Sequence, residues 1–388
     1  MTNEQWYVIF GEDWGRHSST GQFLAKEIAK TRNVLWINSL GMRTPSFNLS
    51  DLTRIVTKLS RFITDSVSKK NAHATEENNI RVITPIAIPL LKYRMIRRFN
   101  QLFVSAFVKS KMRQFGVVNP IVMSAGPEAV DVIDRLNGKT TVYYCADKYA
   151  EFPGQDRELV LLLEREMLKK VDVVVVTSVA LMADLEKLHK NVHYIPHGVD
   201  YALFHKALDD ETTDPVHEHE SYRRPLIGFV GLIGPHLNYE IIETLSTEFK
   251  DASILMIGPI EENANPPRRD NIFYLGKKER HQLPGYLRMF DVCITPYVDS
   301  ERVRYANPTK VREYLAAGCP AICTPQDEAR AISKQIYFAA NGIGFANAVK
   351  QILASQIDRH AISASVSHQT WLDRASQLMQ LVEGGVKC

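Results

Sequence analysis

The fold of this chain is decided by the stretch Tyr305-Ala-Asn-Pro-Thr-Lys-Val-Arg-Glu-Tyr-Leu-Ala-Ala-Gly-Cys-Pro320. Asn307 is a favoured N-cap residue, and Pro308 suits the first position of a helix. Gly318 and Pro320 are typical of the end of a helix. The pattern therefore predicts a helix over residues 308–317.

The first turn of this helix has the composition of a phosphate site. The backbone N–H groups and side chains of Thr309 and Lys310 lie where the helix dipole favours an anion. Glu313 follows Thr309 by one turn on the same face, about 6 Å further along at 1.5 Å per residue. This spacing suits a nucleotide whose diphosphate lies at the helix start and whose ribose hydroxyls bind Glu313. The alternative is a well-capped surface helix with an incidental lysine.

The segments before this helix alternate between apolar strands and a helix at 239–249. Gly231 and Gly258 end two of the strands, and Tyr297 ends the last of them. In an open α/β sheet the carboxyl ends of the strands face the ligand, and glycine lets the backbone approach phosphate or sugar. We therefore expect these three residues to lie at the nucleotide ligand, the alternative being ordinary turn glycines in a nucleotide-free domain. The predicted strands are 226–231, 252–259, 272–275 and 292–297.

The N-terminal half shows the same alternation of strand and helix. No G-x-G-x-x-G motif follows its first strand, so a dinucleotide is disfavoured and no cofactor is expected. The loop after that strand contains four candidate site residues, Gly11, Asp13, Arg16 and His17. The predicted strands are 6–10, 34–38, 81–86, 120–123, 141–145, 171–177 and 191–195, with a helix at 20–30.

These residues resemble the GT-B glycosyltransferases, by pattern the teichuronic-acid-type enzymes and, more distantly, the xanthan glucuronosyltransferase. The resemblance implies an α/β protein with two Rossmann-like domains that face each other across a cleft. Asn307, Thr309 and Lys310 match the diphosphate end of the family's nucleotide-sugar helix, and Glu313 matches the acid that binds the ribose. Ile195-Pro-His-Gly-Val-Asp200 is similar to the interdomain sequence of the family.

The resemblance also implies domain boundaries. We expect an acceptor-binding domain over 1–200, a linker over 201–224 and a nucleotide-sugar-binding domain over 225–365. Residues 366–388 are expected to form a helix that crosses back to the first domain. The linker contains His217 and His219, for which a solvated segment is a simpler interpretation than a metal site.

Asp147 is the candidate general base. It follows the apolar run Val142 to Cys145, which is typical of a buried parallel strand, so its carboxylate is expected at the carboxyl end of that strand. The alternatives are that Asp147 caps the next helix or pairs with Lys148, and Asp13 is the rival base. Many retaining relatives have a glutamate where this chain has Tyr305, while Glu301 lies further back. We therefore expect inversion, and the absence of a D-x-D motif indicates that no metal is needed.

Composition agrees with a two-domain enzyme. The chain has 388 residues, 45% of them apolar, and a net charge of +3, which gives no indication of nucleic-acid binding. The five cysteines lack metal-site spacing and are expected to be reduced. No long apolar run or signal-type start is seen, so we expect a cytoplasmic protein, with peripheral contact to the cell membrane as an open alternative.

The membrane alternative depends on the charge of residues 52–115. This segment contains 13 lysines or arginines against 3 aspartates or glutamates. Within it, residues 90–113 mix apolar and basic positions at helical spacing, as in interfacial helices. A helix packed on the core with a solvated basic face is the equal alternative, and a lipid-linked acceptor fits both.

The sequence as a whole predicts a glycosyltransferase. We expect it to move a sugar from a nucleoside diphosphate, with UDP as the first choice, to a glycan or lipid-linked acceptor. Bacterial surface polysaccharide synthesis is the expected setting. The alternatives are a GT-B-fold epimerase of nucleotide sugars and a catalytically silent subunit that binds the nucleotide sugar.

Overall fold

A computed structural model describes residues 5–16, 19–41, 73–74, 79–152, 154–209 and 222–384. The chain forms two compact units. Unit 1 comprises Met1–Pro196 and Arg374–Cys388, and unit 2 comprises His197–Asp373. No helix among the described residues is both long and apolar enough to cross a membrane.

Unit 1 is built on a sheet with the strand order β3-β4-β2-β1-β5-β6-β7-β8. All neighbouring strands are parallel except β3 and β4. The central strands are buried along their whole length, which explains their unbroken apolar runs. The strands are β1 (Trp6–Phe10), β2 (Asn33–Ile37), β3 (His73–Ala74), β4 (Ile80–Ile83), β5 (Ile121–Ser124), β6 (Thr140–Cys145), β7 (Val173–Val176) and β8 (Val192–Tyr194).

The helices of unit 1 follow its strands and cover the sheet. Three of them begin at a serine or aspartate whose side chain accepts a hydrogen bond from the first turn, at Ser19, Asp156 and Ser178. The helices are α1 (Thr20–Ala29), α2 (Arg94–Phe115), α3 (Arg157–Leu168) and α4 (Val179–Leu185).

Unit 2 contains a parallel sheet with the strand order β11-β10-β9-β12-β13-β14. Two apolar clusters, one on each face of this sheet, form its core. The strands are β9 (Leu226–Val230), β10 (Ser253–Ile257), β11 (Ile272–Gly276), β12 (Val292–Thr295), β13 (Ala321–Cys323) and β14 (Ile336–Phe338).

The remaining helices belong to unit 2, except the last one, which belongs to unit 1 from Arg374 onward. They are α5 (Tyr201–His205), α6 (Tyr239–Glu248), α7 (Leu283–Met289), α8 (Glu301–Tyr305), α9 (Thr309–Ala316), α10 (Asp327–Ile332), α11 (Gly342–Ala354), α12 (Arg359–Ala364) and α13 (Trp371–Glu383). Two parallel sheets covered by helices confirm the predicted α/β class.

The start of the expected linker is helical. α5 lies in it, and Phe204 and Ala207 are buried in one core cluster of unit 2 together with Val199. Burial of these apolar side chains attaches residues 197–209 to unit 2. Unit 2 begins at His197, whereas the first domain was expected to extend to residue 200. His217 and His219, for which a metal was considered, lie outside the described residues.

The C-terminal helix α13 ends against the sheet of unit 1. The Glu383 carboxylate accepts hydrogen bonds from the Arg32 guanidinium at 3.0 and 2.8 Å and from the Tyr7 hydroxyl at 2.7 Å. Burial works against ionisation of Glu383, but the Arg32 and Tyr7 hydrogen bonds together hold its pKa below the ordinary value. This three-residue contact attaches the last turn of α13 to unit 1.

We predict that Glu383→Gln lowers the free energy of unfolding of unit 1 by about 1 to 2 kcal/mol at pH 7, after allowance for solvent screening. Because the pKa of Glu383 is lowered in the folded state, its contribution to the free energy of unfolding is fully present above the pKa of the unfolded chain. It is lost as the pH falls through the folded pKa. Urea unfolding at pH 7 and near pH 3 measures the difference between variant and parent, which should shrink in acid.

Glu27→Gln is the matched control. Glu27 pairs with Lys30 one turn away on the exposed side of α1. Such pairs contribute about 0.5 kcal/mol or less. Equal losses in the two variants at pH 7 would contradict a special role for the Glu383 contact.

Candidate functional site

Helix α9 begins at Thr309, one residue after the predicted start at 308, and Pro308 lies outside it. Pro308 occupies the N-cap position, and no side chain caps the helix. The prediction that Asn307 is the N-cap is therefore wrong. Its side chain is turned inward, where its amide NH₂ donates to Glu328 and its carbonyl oxygen accepts from Arg312 at 2.6 Å.

A buried polar network around Arg312 holds the start of α9 in place. Arg312 is only 2% exposed, and Asn307, Glu328 and Gln369 are nearly as buried. The Arg312 Nε donates to Gln369 at 2.9 Å, and Gln369 in turn donates to the carbonyl of Ile332. A buried guanidinium needs such partners because its charge is costly to desolvate. The network therefore fixes the helix that presents Lys310 and Glu313.

Tyr314 connects α9 to the end of strand β9. Its hydroxyl accepts a hydrogen bond from the Val230 N–H at 2.9 Å and donates to the Val230 carbonyl at 3.2 Å. The next residue is Gly231, and the side chain of Lys310 passes directly over it. A Cβ atom on Gly231 would lie 2.0 Å from the Lys310 Cε.

The two strand-end glycines are explained by packing in this structure. Gly231 and Gly258 have φ angles of +155° and +145°, which side-chain-bearing residues rarely adopt. A Cβ atom on Gly258 would lie 1.8 Å from the Gly231 carbonyl oxygen. The glycines thus bring the ends of β9 and β10 together under the Lys310 side chain. Their contact with a donor stays a prediction.

Glu313 is ion-paired in this structure. Its Oε1 accepts a hydrogen bond from Arg280 at 3.0 Å, and the Glu313 side chain is 14% exposed. Arg280 also lies over the ring of Phe204, 5.0 Å from its centroid. Arg280 was not singled out in the sequence, because it lies 33 residues before Glu313 and no local spacing links the two.

His236 is a second residue that sequence reasoning missed. It lies in the loop after Gly231, and its ring is 5.6 Å from that of Tyr297. Burial, with the positive charges of Lys310 and Arg302, lowers the pKa of His236 to about 4, so the imidazole is neutral at pH 7. Its position in the loop after a glycine-ended strand was the available signal.

Tyr297 is buried and connects two loops of unit 2. Its N–H donates to the Thr324 hydroxyl, and its backbone bridges to Leu237. The structure thus brings together Gly231, Gly258, Lys310 and Tyr297 at the carboxyl end of the unit 2 sheet, with His236 added to them.

In unit 1, Asp147 follows β6 as predicted. Its charge raises the pKa of Tyr144 and Tyr149, although burial is the larger cause for both. Lys148, the alternative partner, donates to Asp184 at 2.8 Å. Because this part of the chain follows a central strand, the carboxylate lies at the carboxyl edge of the sheet.

The first loop of unit 1 lies two strands away from Asp147, about 10 Å by strand spacing. Gly11 has no room for a side chain because its Cβ would lie 2.3 Å from Trp36. The Asp13 carbonyl accepts from the Arg16 N–H, which makes the loop a tight turn. The Asp13 Oδ1 is buried without a hydrogen-bond partner among the described residues. His17, the fourth predicted residue of this loop, lies outside the described residues.

The described part of the chain contains no cluster of three or more histidines, cysteines or acidic residues arranged to hold a metal ion. Four cysteines, at 145, 293, 319 and 323, are buried free thiols. Burial raises the pKa of the Cys323 thiol to about 12, so it is protonated at pH 7. These thiols are consistent with structural residues.

Part of the C-terminal half is similar to a known protein family. The profile of the family Glycosyl transferases group 1 matches residues 224–356. A curated relative is the putative teichuronic acid biosynthesis glycosyltransferase TuaH of Bacillus subtilis, which is 25% identical over 200 residues. The match covers 47% of this chain and 50% of TuaH, so it spans about half the length of that relative.

Solved structures match the whole chain with low sequence identity. Sucrose-phosphate synthase of Thermosynechococcus elongatus matches with a TM-score of 0.68 and 15% identity, covering 98% of both chains. Anabaena Alr3699/HepE, solved with UDP and glucose, matches with a TM-score of 0.66 and 11% identity, covering 98% of this chain and 99% of that one. The chain therefore has the GT-B fold, and its residues 224–356 match the profile of the family Glycosyl transferases group 1.

Proposed function

We propose that this chain is a glycosyltransferase that uses a UDP-sugar as donor and a glycan or lipid-linked hydroxyl as acceptor. The proposed setting is the synthesis of a bacterial surface polysaccharide. The observation that carries the proposal is the position of Lys310 and Glu313 on one helix, with the Lys310 side chain lying across the glycine end of β9.

The electrostatics of this region support an anionic ligand. Lys310 has no ion-pair partner among the described residues, and its ammonium lies at the N-terminal end of α9, where the helix dipole is positive. The positive potential of Lys310 and Arg302 is strong enough to contribute to the lowered pKa of His236. A diphosphate would neutralise the charge of Lys310, and Glu313 would accept hydrogen bonds from the ribose.

The relatives support the choice of donor and setting. Alr3699/HepE was solved with UDP and glucose, and a matched E. coli trehalose-6-phosphate protein was solved with UDP-2-fluoro glucose. That E. coli structure has a TM-score of 0.64 and 12% identity, covering 98% of this chain and 100% of its own. TuaH is named for teichuronic acid, a polysaccharide. These names favour UDP and polysaccharide synthesis for this chain.

We propose a single displacement with inversion. The acceptor oxygen attacks the anomeric carbon while the Asp147 carboxylate takes the hydroxyl proton, and the bond from the anomeric carbon to the diphosphate oxygen breaks. The electron pair leaves with the diphosphate, where Lys310 and the start of α9 stabilise the new charge. This scheme needs no metal ion.

Product analysis separates this proposal from its two alternatives. Turnover of the donor into an epimer without an acceptor would identify an epimerase. Binding of UDP without turnover, across a panel of donors and acceptors, would identify a silent subunit. Transfer that needs both substrates supports the proposed function.

We predict that Lys310→Met weakens UDP binding by about 10- to 100-fold, the equivalent of a charged hydrogen bond of about 1.5 to 3 kcal/mol. Methionine keeps much of the apolar stem that covers Gly231, so the local packing is preserved. Glu313→Gln should weaken UDP binding by a similar factor through the ribose. Titration calorimetry measures both.

Uridine, which has the ribose but no diphosphate, separates the two roles. Lys310→Met should leave the affinity for uridine unchanged, whereas Glu313→Gln should lower it. Lys250→Met, at an exposed position of the same unit, is the control. Unchanged UDP affinity in both site variants would contradict the assignment of the donor site.

We predict that Asp147→Asn lowers turnover by about 100-fold or more, because the amide keeps the shape of the side chain and cannot take a proton. Its affinity for UDP should stay within a few-fold of the parent. Asp13→Asn should act mainly on the KM for the acceptor. Steady-state kinetics with one donor and one acceptor measure these effects.

The configuration of the product is an independent check on the mechanism. NMR of the new glycosidic bond should show an inverted anomeric centre. Retention would refute the single displacement even if the donor site is correct. Near-normal turnover of Asp147→Asn would indicate that Asp13 or another group is the base.

A further inference from the structure

Helix α2 presents an apolar face to solvent. Met95 is 85% exposed, Leu102 63%, Phe103 62% and Phe99 47%. These four residues recur at helical spacing, and the rings of Phe99 and Phe103 stack with their centroids 4.6 Å apart. We call this set the α2 apolar face. Large apolar side chains gathered in this way usually mark an interaction surface.

The opposite side of α2 is firmly packed on unit 1. Val104, Val108 and Met112 are buried, and Asn100 exchanges two hydrogen bonds with the backbone of Ile88. Arg97 donates to Asp131 at 2.8 Å and also pairs with Glu166. The helix therefore cannot rotate to bury its apolar face in its own unit.

The charges along the α2 apolar face are all positive. Arg98 precedes Leu102 by four residues and Lys109 follows it by seven, so both lie along the same edge of the face. Arg113 lies five turns after Met95, at the same angle around the helix. Neither Arg98, Lys109 nor Arg113 forms an ion pair with a described residue. Residues 90–115 contain no aspartate or glutamate.

We propose that the α2 apolar face docks on an anionic lipid surface. Its apolar side chains would enter the boundary between headgroups and acyl chains, while Arg98, Lys109 and Arg113 bind the phosphate headgroups. A second copy of the chain is a poorer occupant, because a symmetric contact would bring these cations against their own copies. The inference rests on the proposed function in one respect, since a lipid-linked acceptor gives the surface its use.

The basic residues of α2 are not equally suited to a test of docking. Arg97 belongs to the buried side of α2 and bonds to Asp131 and Glu166, so its replacement would disturb the fold rather than a docking surface. Arg98 and Lys109 are therefore the two cations to replace. Each well-placed cation contributes about fivefold to binding of an anionic surface, so the loss of two should cost about 25-fold.

The experiment is flotation of the full chain with vesicles of phosphatidylcholine, with and without phosphatidylglycerol. The parent should float with the anionic vesicles at low salt and be partly released as rising salt shortens the screening length. Arg98→Gln with Lys109→Gln should lower binding to anionic vesicles by about 25-fold. Phe99→Ser with Phe103→Ser should lower binding at every salt concentration.

Matched control variants remove the same kinds of side chain at other exposed positions. Lys190→Gln with Lys250→Gln removes two exposed charges, and Leu188→Ser with Ile343→Ser removes two exposed apolar side chains. All four double variants should keep the parent's affinity for UDP, so a failure of docking is separate from a failure of the proposed function. Should the Phe variant not fold, Met95→Gln replaces it, since Met95 is the most exposed residue of the face.

Three results would overturn the proposal. One is equal flotation of the parent with neutral and anionic vesicles. Another is parent-like flotation of the Phe99 and Phe103 variant. The third is a dimer in light scattering that is lost in that variant while no flotation occurs, which would assign the α2 apolar face to self-association instead.

Discussion

The buried guanidinium of Arg312 is the interaction on which the region around α9 depends. It bonds to Asn307 before α9 and to Gln369 before α13, and Asn307 in turn bonds to Glu328 of α10. Because a buried charge is tolerated only when its hydrogen bonds are made, these parts must assemble together. The network therefore orients α9 from inside the fold and leaves the outer side of its first turns for Lys310 and Glu313.

Tyr314 connects helix α9 to the sheet of unit 2. Tyr314 holds both backbone groups of Val230, which places Gly231 under the Lys310 side chain. Gly258 then lets the end of the next strand close against Gly231. The position of the Lys310 side chain across the end of β9 is a consequence of this packing.

The charges of the region are unevenly balanced. Glu313 is compensated by Arg280, whereas Lys310 and Arg302 act together on the neutral His236. A negative ligand would balance the charge of Lys310. In unit 1 the arrangement is different, since the buried tyrosines around Asp147 keep their protons and can only donate or accept hydrogen bonds. Such surroundings suit a hydroxyl-bearing substrate.

The sequence by itself determined the α/β class, the strands β9 to β12, the start of α9 to within one residue and the shared face of Thr309 and Glu313. These features follow from local patterns, namely apolar runs, glycine positions and helical spacing. Only the tertiary structure decided that Asn307 serves Arg312 instead of capping the helix, and that Arg280 pairs with Glu313. It also decided which side of α2 stays exposed. The physical reason is that each of these outcomes also depends on residues distant in the chain, such as Glu328 and Gln369 around Asn307 and Arg312, and the packing of the core brings them together.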